Sequence, residues 1–329
     1  MITPRLYRKA VLGALQWRLF LLWWAALVVP GAIAALPVIE FLRKQLDHSP
    51  LAAGLVARLD GGVAIELARQ LGQNGAGDSI ALGFAGAALV VLFTSPFVAG
   101  ATLAAARSDE PLPLSRLLTG AGEYYGRMLR TSIAALVPLG IGGALAAAAL
   151  KAADKANQHV TTEAAADRNT HLALAAGALA VFLAHLVVDA ARAQFAADPG
   201  RRSGVVAHWS ALKLLVRRPL RSLGLGLIAV GLGPALALVL MELRLEIAQS
   251  NAAEMALAWA LAQAAHVAIG WGRSARLFGL ADLSRADTAD RDRAGKAFAM
   301  AEPATSPPPA LVQSSTLDAL DPPRNTAPR

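Results

Sequence analysis

Cysteine is absent from the 329 residues, which excludes disulfides, thiol nucleophiles and cysteine metal sites. Charge is scarce too: Asp, Glu, Lys and Arg make up 16% of the chain, against about 25% in ordinary soluble proteins. Complete catalytic signatures are missing. No Gly-x-Ser-x-Gly, His-Glu-x-x-His or phosphate-binding loop occurs. Gly75-Ala-Gly-Asp78 has the form of an intramembrane aspartyl protease motif, but no tyrosine is followed by the second aspartate which that chemistry needs. Asp189-Ala-Ala-Arg192 lacks the glycine, the longer gap and the downstream aspartates of membrane phosphatidyltransferases. The chain is therefore expected not to be an enzyme, and to need neither cofactor nor metal.

The scarcity of charge is concentrated in six uncharged stretches: Leu19–Ile39, Ser79–Ala106, Thr131–Leu150, Asn169–Val188, Ser222–Met241 and Met255–Gly272. Crossing a bilayer core of about 30 Å takes roughly 20 helical residues, and unpaired backbone groups are not tolerated there. Each stretch predicts a transmembrane helix. The fold class is all-α: a polytopic bundle with short amphipathic helices at the membrane interface. A six-span domain is expected over residues 1–285, and a disordered Pro-rich cytoplasmic tail over 286–329, where seven prolines follow a run of mixed charge.

Net charge is +8 and unevenly spread. Lys and Arg number 23 on the side of the termini and the second and fourth loops, against 8 on the other side. The positive-inside rule then places both termini in the cytoplasm. Arginine outnumbers lysine 25 to 6 and alanine is abundant, as in GC-rich bacterial genomes, so the bacterial inner membrane is the expected location. The basic inner loops suit anionic lipid headgroups, and they leave room for membrane or cytoplasmic protein partners. No aromatic-interleaved platform accompanies the charge, which argues against nucleic acid.

Amphipathic segments are expected at Pro113–Arg130, at Val205–Arg218 and within the outer loop Glu40–Asp78, where Leu46-Asp-His-Ser-Pro50 reads as a turn. A basic, aromatic segment precedes spans one, three and five, and Trp17 to Pro30 repeats the spacing of Tyr125 to Pro138. The pattern allows three parallel two-helix repeats. Pro30, Pro96, Pro138 and Pro234 are candidate helix kinks, with Thr94 or Ser95 placed to satisfy groups freed by Pro96.

Few ionisable residues fall in or beside the spans. His185, Asp189 and Arg192 share a face of span four, and His266 and Arg273 hold the matching register on span six. Such groups are costly in a membrane, which makes these five a candidate polar site: a proton relay, a metal site or a clamp. The plainer alternative is structural, with histidines bonding a neighbouring helix and Asp189 pairing with an arginine.

Leu15-Gln-Trp-Arg18, Leu46-Asp-His-Ser-Pro50, Ser95-Pro-Phe97, Glu123-Tyr-Tyr-Gly-Arg127, Arg218-Pro-Leu-Arg-Ser-Leu-Gly224 and Gly270-Trp-Gly-Arg-Ser-Ala-Arg276 together look like an uncharacterised group of proteobacterial six-helix inner-membrane proteins. The architecture is also loosely similar to the membrane domains of some glycerophosphodiester phosphodiesterases. Neither resemblance implies an activity or a functional residue. Two functions stay open: a non-catalytic membrane scaffold or assembly factor, which the small number of polar groups in the spans favours, and a small transporter or channel with a polar core around His185, Asp189 and His266.

Overall fold

The computed structural model describes residues 4–46, 76–198, 200–248 and 250–301. Most of the loop at residues 40–78, including residues 47–50 of the expected turn and the expected amphipathic segment after it, lies outside the described residues. So does the chain after Ala301, including Pro307-Pro-Pro309.

Nine helices and no strands occur among the described residues: α1 Pro4–Gly13, α2 Trp17–Leu46, α3 Ala76–Ala106, α4 Leu114–Ala134, α5 Leu136–Asn157, α6 Glu163–Ala197, α7 Gly204–Arg217, α8 Pro219–Leu245 and α9 Ala252–Ala301. Six helical segments are long and apolar enough to cross a membrane, and each contains one of the uncharged stretches. This is a multi-pass membrane protein. The order repeats three times: a shorter helix (α1, α4 or α7) precedes a pair of long ones (α2–α3, α5–α6 or α8–α9).

Each pair is closed by a glycine that lets two backbones approach, the small-residue packing that membrane helices use where lipid removes the hydrophobic drive. A Cβ on Gly83 would come within 2.5 Å of Pro37, and one on Gly142 within 2.9 Å of the Ala184 Cβ. On Gly233 it would come within 2.7 Å of the Ala268 carbonyl oxygen.

The large buried side chains cluster at one end of the bundle, mostly outside the uncharged stretches. Leu117 and Met128 of α4, Phe195 of α6, Leu214 of α7 and Leu277, Leu280 and Leu283 of α9 are all buried there. At that end water competes, so burying each such side chain contributes about 1.5–3 kcal/mol. Within the apolar windows only 11–28% of residues are buried. Leu82, Phe84, Leu145, Leu179 and Leu238 point outward, as they must where lipid is the solvent.

Helices α4 and α7 each turn one face into this core. Leu117, Tyr124 and Met128 do so from α4, and Ala207, Ala211 and Leu214 from α7. The outer face of α7 remains apolar through Val205, Trp209, Leu212 and Val216, and the Lys213 ammonium stands 5.4 Å from the Trp209 ring centre.

Helix α9 runs past residue 285 to Ala301, so residues 286–301 are helical where a disordered tail is expected, and the rest of that tail lies outside the described residues. Charges spaced by three residues support it: Arg285 pairs with Asp282, and Arg293 with Asp290 at 2.7 Å. The buried Asp287 faces Arg217 and Arg218 at 3.5 and 3.6 Å. Mixed charge at helical spacing stabilises a helix as readily as it solvates a coil. The chain divides into two compact units, residues 1–288 and 289–329.

Candidate functional site

The site forms where α2, α3, α4, α6 and α9 meet, next to the packed end of the bundle. Asp189 is its centre, at 5% exposure. Its position on α6 brings Arg192, one turn on, to 3.3 Å from one carboxylate oxygen. The other oxygen pairs with Arg276 of α9, which is 7% exposed. Arg192 also donates to the Ser132 hydroxyl of α4 at 3.1 Å and to that of Ser95 on α3 at 3.5 Å. One guanidinium thus joins three helices.

Ser95 precedes Pro96, and Thr94 donates to the Val90 carbonyl at 2.9 Å. Thr94 therefore serves its own helix while Ser95 faces Arg192. Trp23 closes the site from α2. Its indole N–H donates to the Thr102 hydroxyl at 3.3 Å, and the Arg273 guanidinium stands 5.7 Å from its ring centre, at cation–π range. Helix α9 reaches Trp23 because Gly270 lies beneath it: a Cβ there would meet the Trp23 Cβ at 2.5 Å.

A cavity of about 240 Å³ opens onto this cluster, with His185, Asp189, Arg192, Arg273 and Arg276 on its polar side. A second cavity of about 370 Å³ lies beyond a wall formed by His185, Arg273 and Arg276, and its other lining is apolar, including Val181, Phe182, Pro234 and Ile269. Three guanidiniums stand here with one carboxylate. The Nε–H groups of Arg192 and Arg276 are buried and have no acceptor among the described residues.

Four of the five residues singled out in the sequence (His185, Asp189, Arg192 and Arg273) therefore line one cavity. His266 does not. It lies seven residues before Arg273, about 10.5 Å along the helix axis, and its ring bonds back to the Ala262 carbonyl at 2.8 Å. The structure adds Arg276, Ser95, Ser132 and Trp23. A signal for Arg276 existed, since it follows Arg273 by three positions on one helix, just past the apolar stretch. Among the described residues no group of three or more His, Asp or Glu side chains is placed to hold a metal ion.

The four proline positions divide. Pro30 and Pro96 lie inside α2 and α3 and are buried, and Pro234 lies inside α8 at the second cavity. Pro138 is the third residue of α5. Having no N–H, it cannot bond the Ala134 carbonyl, and α4 ends at Ala134.

No protein-family model, curated protein or solved structure matches this chain.

Proposed function

We propose that this protein is an anion-binding carrier of the bacterial inner membrane, with both termini cytoplasmic, that holds a negatively charged group at Arg192, Arg273 and Arg276. The observation that carries this reading is the imbalance at the cavity: three guanidiniums, two of them with an unused buried N–H, against the single carboxylate of Asp189. Excess like charge in a low-dielectric bundle is unfavourable, and a bound anion relieves it while meeting the free donors. Asp189 holds Arg192 and Arg276 in place. Arg273, paired with no carboxylate among the described residues, contributes the spare charge. The placing of the termini rests on the distribution of basic residues.

The test is thermal unfolding of the full-length protein in an uncharged detergent with added anions: chloride, inorganic phosphate, glycerol 3-phosphate and a short-chain anionic lipid. At least one phosphate-bearing anion is expected to raise the melting temperature of the parent and not that of Arg273→Gln, since a ligand binding only the folded state stabilises it by mass action. No anion-dependent difference between the two proteins would overturn the reading.

The scaffold reading is favoured by a different observation, the exposed apolar face of α7. Val205, Trp209, Leu212 and Val216 recur there at helical spacing beside Lys213 and Arg217. A membrane partner laid along that helix would cover it.

A further inference from the structure

We infer that the anion held at the arginine cluster is the phosphate of a membrane lipid, reached sideways from the bilayer rather than from water; this rests on the anion-binding reading and names its ligand. Three observations on the bundle point the same way.

The first is depth. Arg273 directly follows the uncharged stretch Met255–Gly272, and Arg192 lies four residues beyond the stretch ending at Val188. The guanidiniums therefore stand where the apolar part of the membrane gives way to headgroups. Trp23 beside them is a side chain that favours that layer. A lipid phosphate occupies the same level without leaving the bilayer.

The second is the direction of access. Val91 and Leu136 line the cavity at Asp189 and are 38% and 61% exposed. Val181, on the second cavity, is 37% exposed. All three belong to apolar stretches whose outer faces meet lipid, so the openings lie on the flank of the bundle.

The third is the pairing of the two cavities. The polar one, of about 240 Å³, and the apolar one, of about 370 Å³, share His185, Arg273 and Arg276 as their common wall. A headgroup in the first with part of a chain in the second matches the amphiphilic division of a phospholipid. Each cavity is near the lower end of the 300–1,000 Å³ usual for small-ligand sites, so the rest of the chains stays in the membrane. Three guanidiniums and one carboxylate leave two positive charges. A lipid phosphomonoester carries about −1.5 to −2 at neutral pH and matches that excess better than a zwitterionic headgroup.

The experiment is native mass spectrometry of the full-length protein in detergent with four probes. These are dioctanoyl phosphatidic acid, dioctanoyl phosphatidylcholine, glycerol 3-phosphate and inorganic phosphate. Dioctanoyl phosphatidic acid is expected to bind at least about tenfold more tightly than any of the others, and to lose about tenfold with Arg273→Gln. Arg273 is exposed and stands against the Trp23 ring, so this variant retains the Asp189 pairs with Arg192 and Arg276. Ala178→Trp, which fills the apolar cavity from its exposed rim, should weaken the lipid and leave glycerol 3-phosphate unchanged. If glycerol 3-phosphate or phosphate binds as tightly as the lipid and depends on Arg273, the lipid assignment fails and the anion site stands. If no probe depends on Arg273, both fail, and if phosphatidylcholine binds as tightly as phosphatidic acid, the assignment to a lipid phosphomonoester fails.

Discussion

Asp189 on α6 and Arg276 on α9 form an ion pair between two helices far apart in the chain, with both residues more than nine-tenths buried. Removing one partner from such a pair leaves an uncompensated charge in low dielectric, at a cost of about 3–5 kcal/mol. Asp189→Leu is therefore expected to lower stability by that amount, because Arg192 and Arg276 lose their carboxylate together. Combining it with Arg276→Met should cost less than the two single losses added. Thermal unfolding in detergent of the parent, both single variants and the double variant reads this directly, and strict additivity would mean that the pair contributes nothing as a pair.

Gly142 and Gly143 are neighbours with opposite surroundings. A Cβ on Gly142 would meet the Ala184 Cβ at 2.9 Å and the Ala180 carbonyl oxygen at 3.1 Å, whereas one on Gly143 meets nothing within 4 Å. Gly142→Leu should cost about 1–3 kcal/mol by forcing α5 from α6. Gly143→Ala should be neutral or slightly stabilising, since glycine is the poorer helix former. Unfolding midpoints for the two variants check the contrast, and equal behaviour would mean that α5 and α6 do not approach here.

Asp287 faces Arg217 and Arg218 from the part of α9 beyond residue 285. Asp287→Ala is expected to destabilise the protein by about 1–2 kcal/mol, at the low end for a buried charge because Arg217 is half exposed and water screens it. Truncation after Ala301 should leave the melting temperature unchanged, whereas truncation after Arg285 should lower it. Expression and unfolding of the two truncated chains separate these outcomes.

Reporter fusions test the orientation drawn from basic residues. A fusion after Gln158, between α5 and α6, should report from outside the cytoplasm, and one after Ala301 from within it. A C-terminal reporter active only outside would reverse the topology.

The amino-acid sequence by itself determined the solvent and the helices. Each span needs to satisfy its own backbone in lipid, a local rule that any uncharged run of about 20 residues obeys without knowledge of its neighbours. The link between Asp189 and Arg192 was legible for the same reason, since three residues along one helix always bring two side chains together. The Asp189–Arg276 pair was not. It depends on which face of α9 is turned toward α6, and periodicity offered His266 and Arg273 as readily as Arg276. Tertiary packing decided it, through Gly270 drawing α9 onto Trp23 and Gly233 drawing α8 onto α9. It also decided that 286–301 continues the helix: mixed charge is compatible with coil and helix alike, and across the chain Asp287 meets Arg217 and Arg218 of α7 and its C-cap. Close approach of small residues leaves no periodic trace in an alanine- and glycine-rich sequence, so only the assembled bundle shows which of them touch.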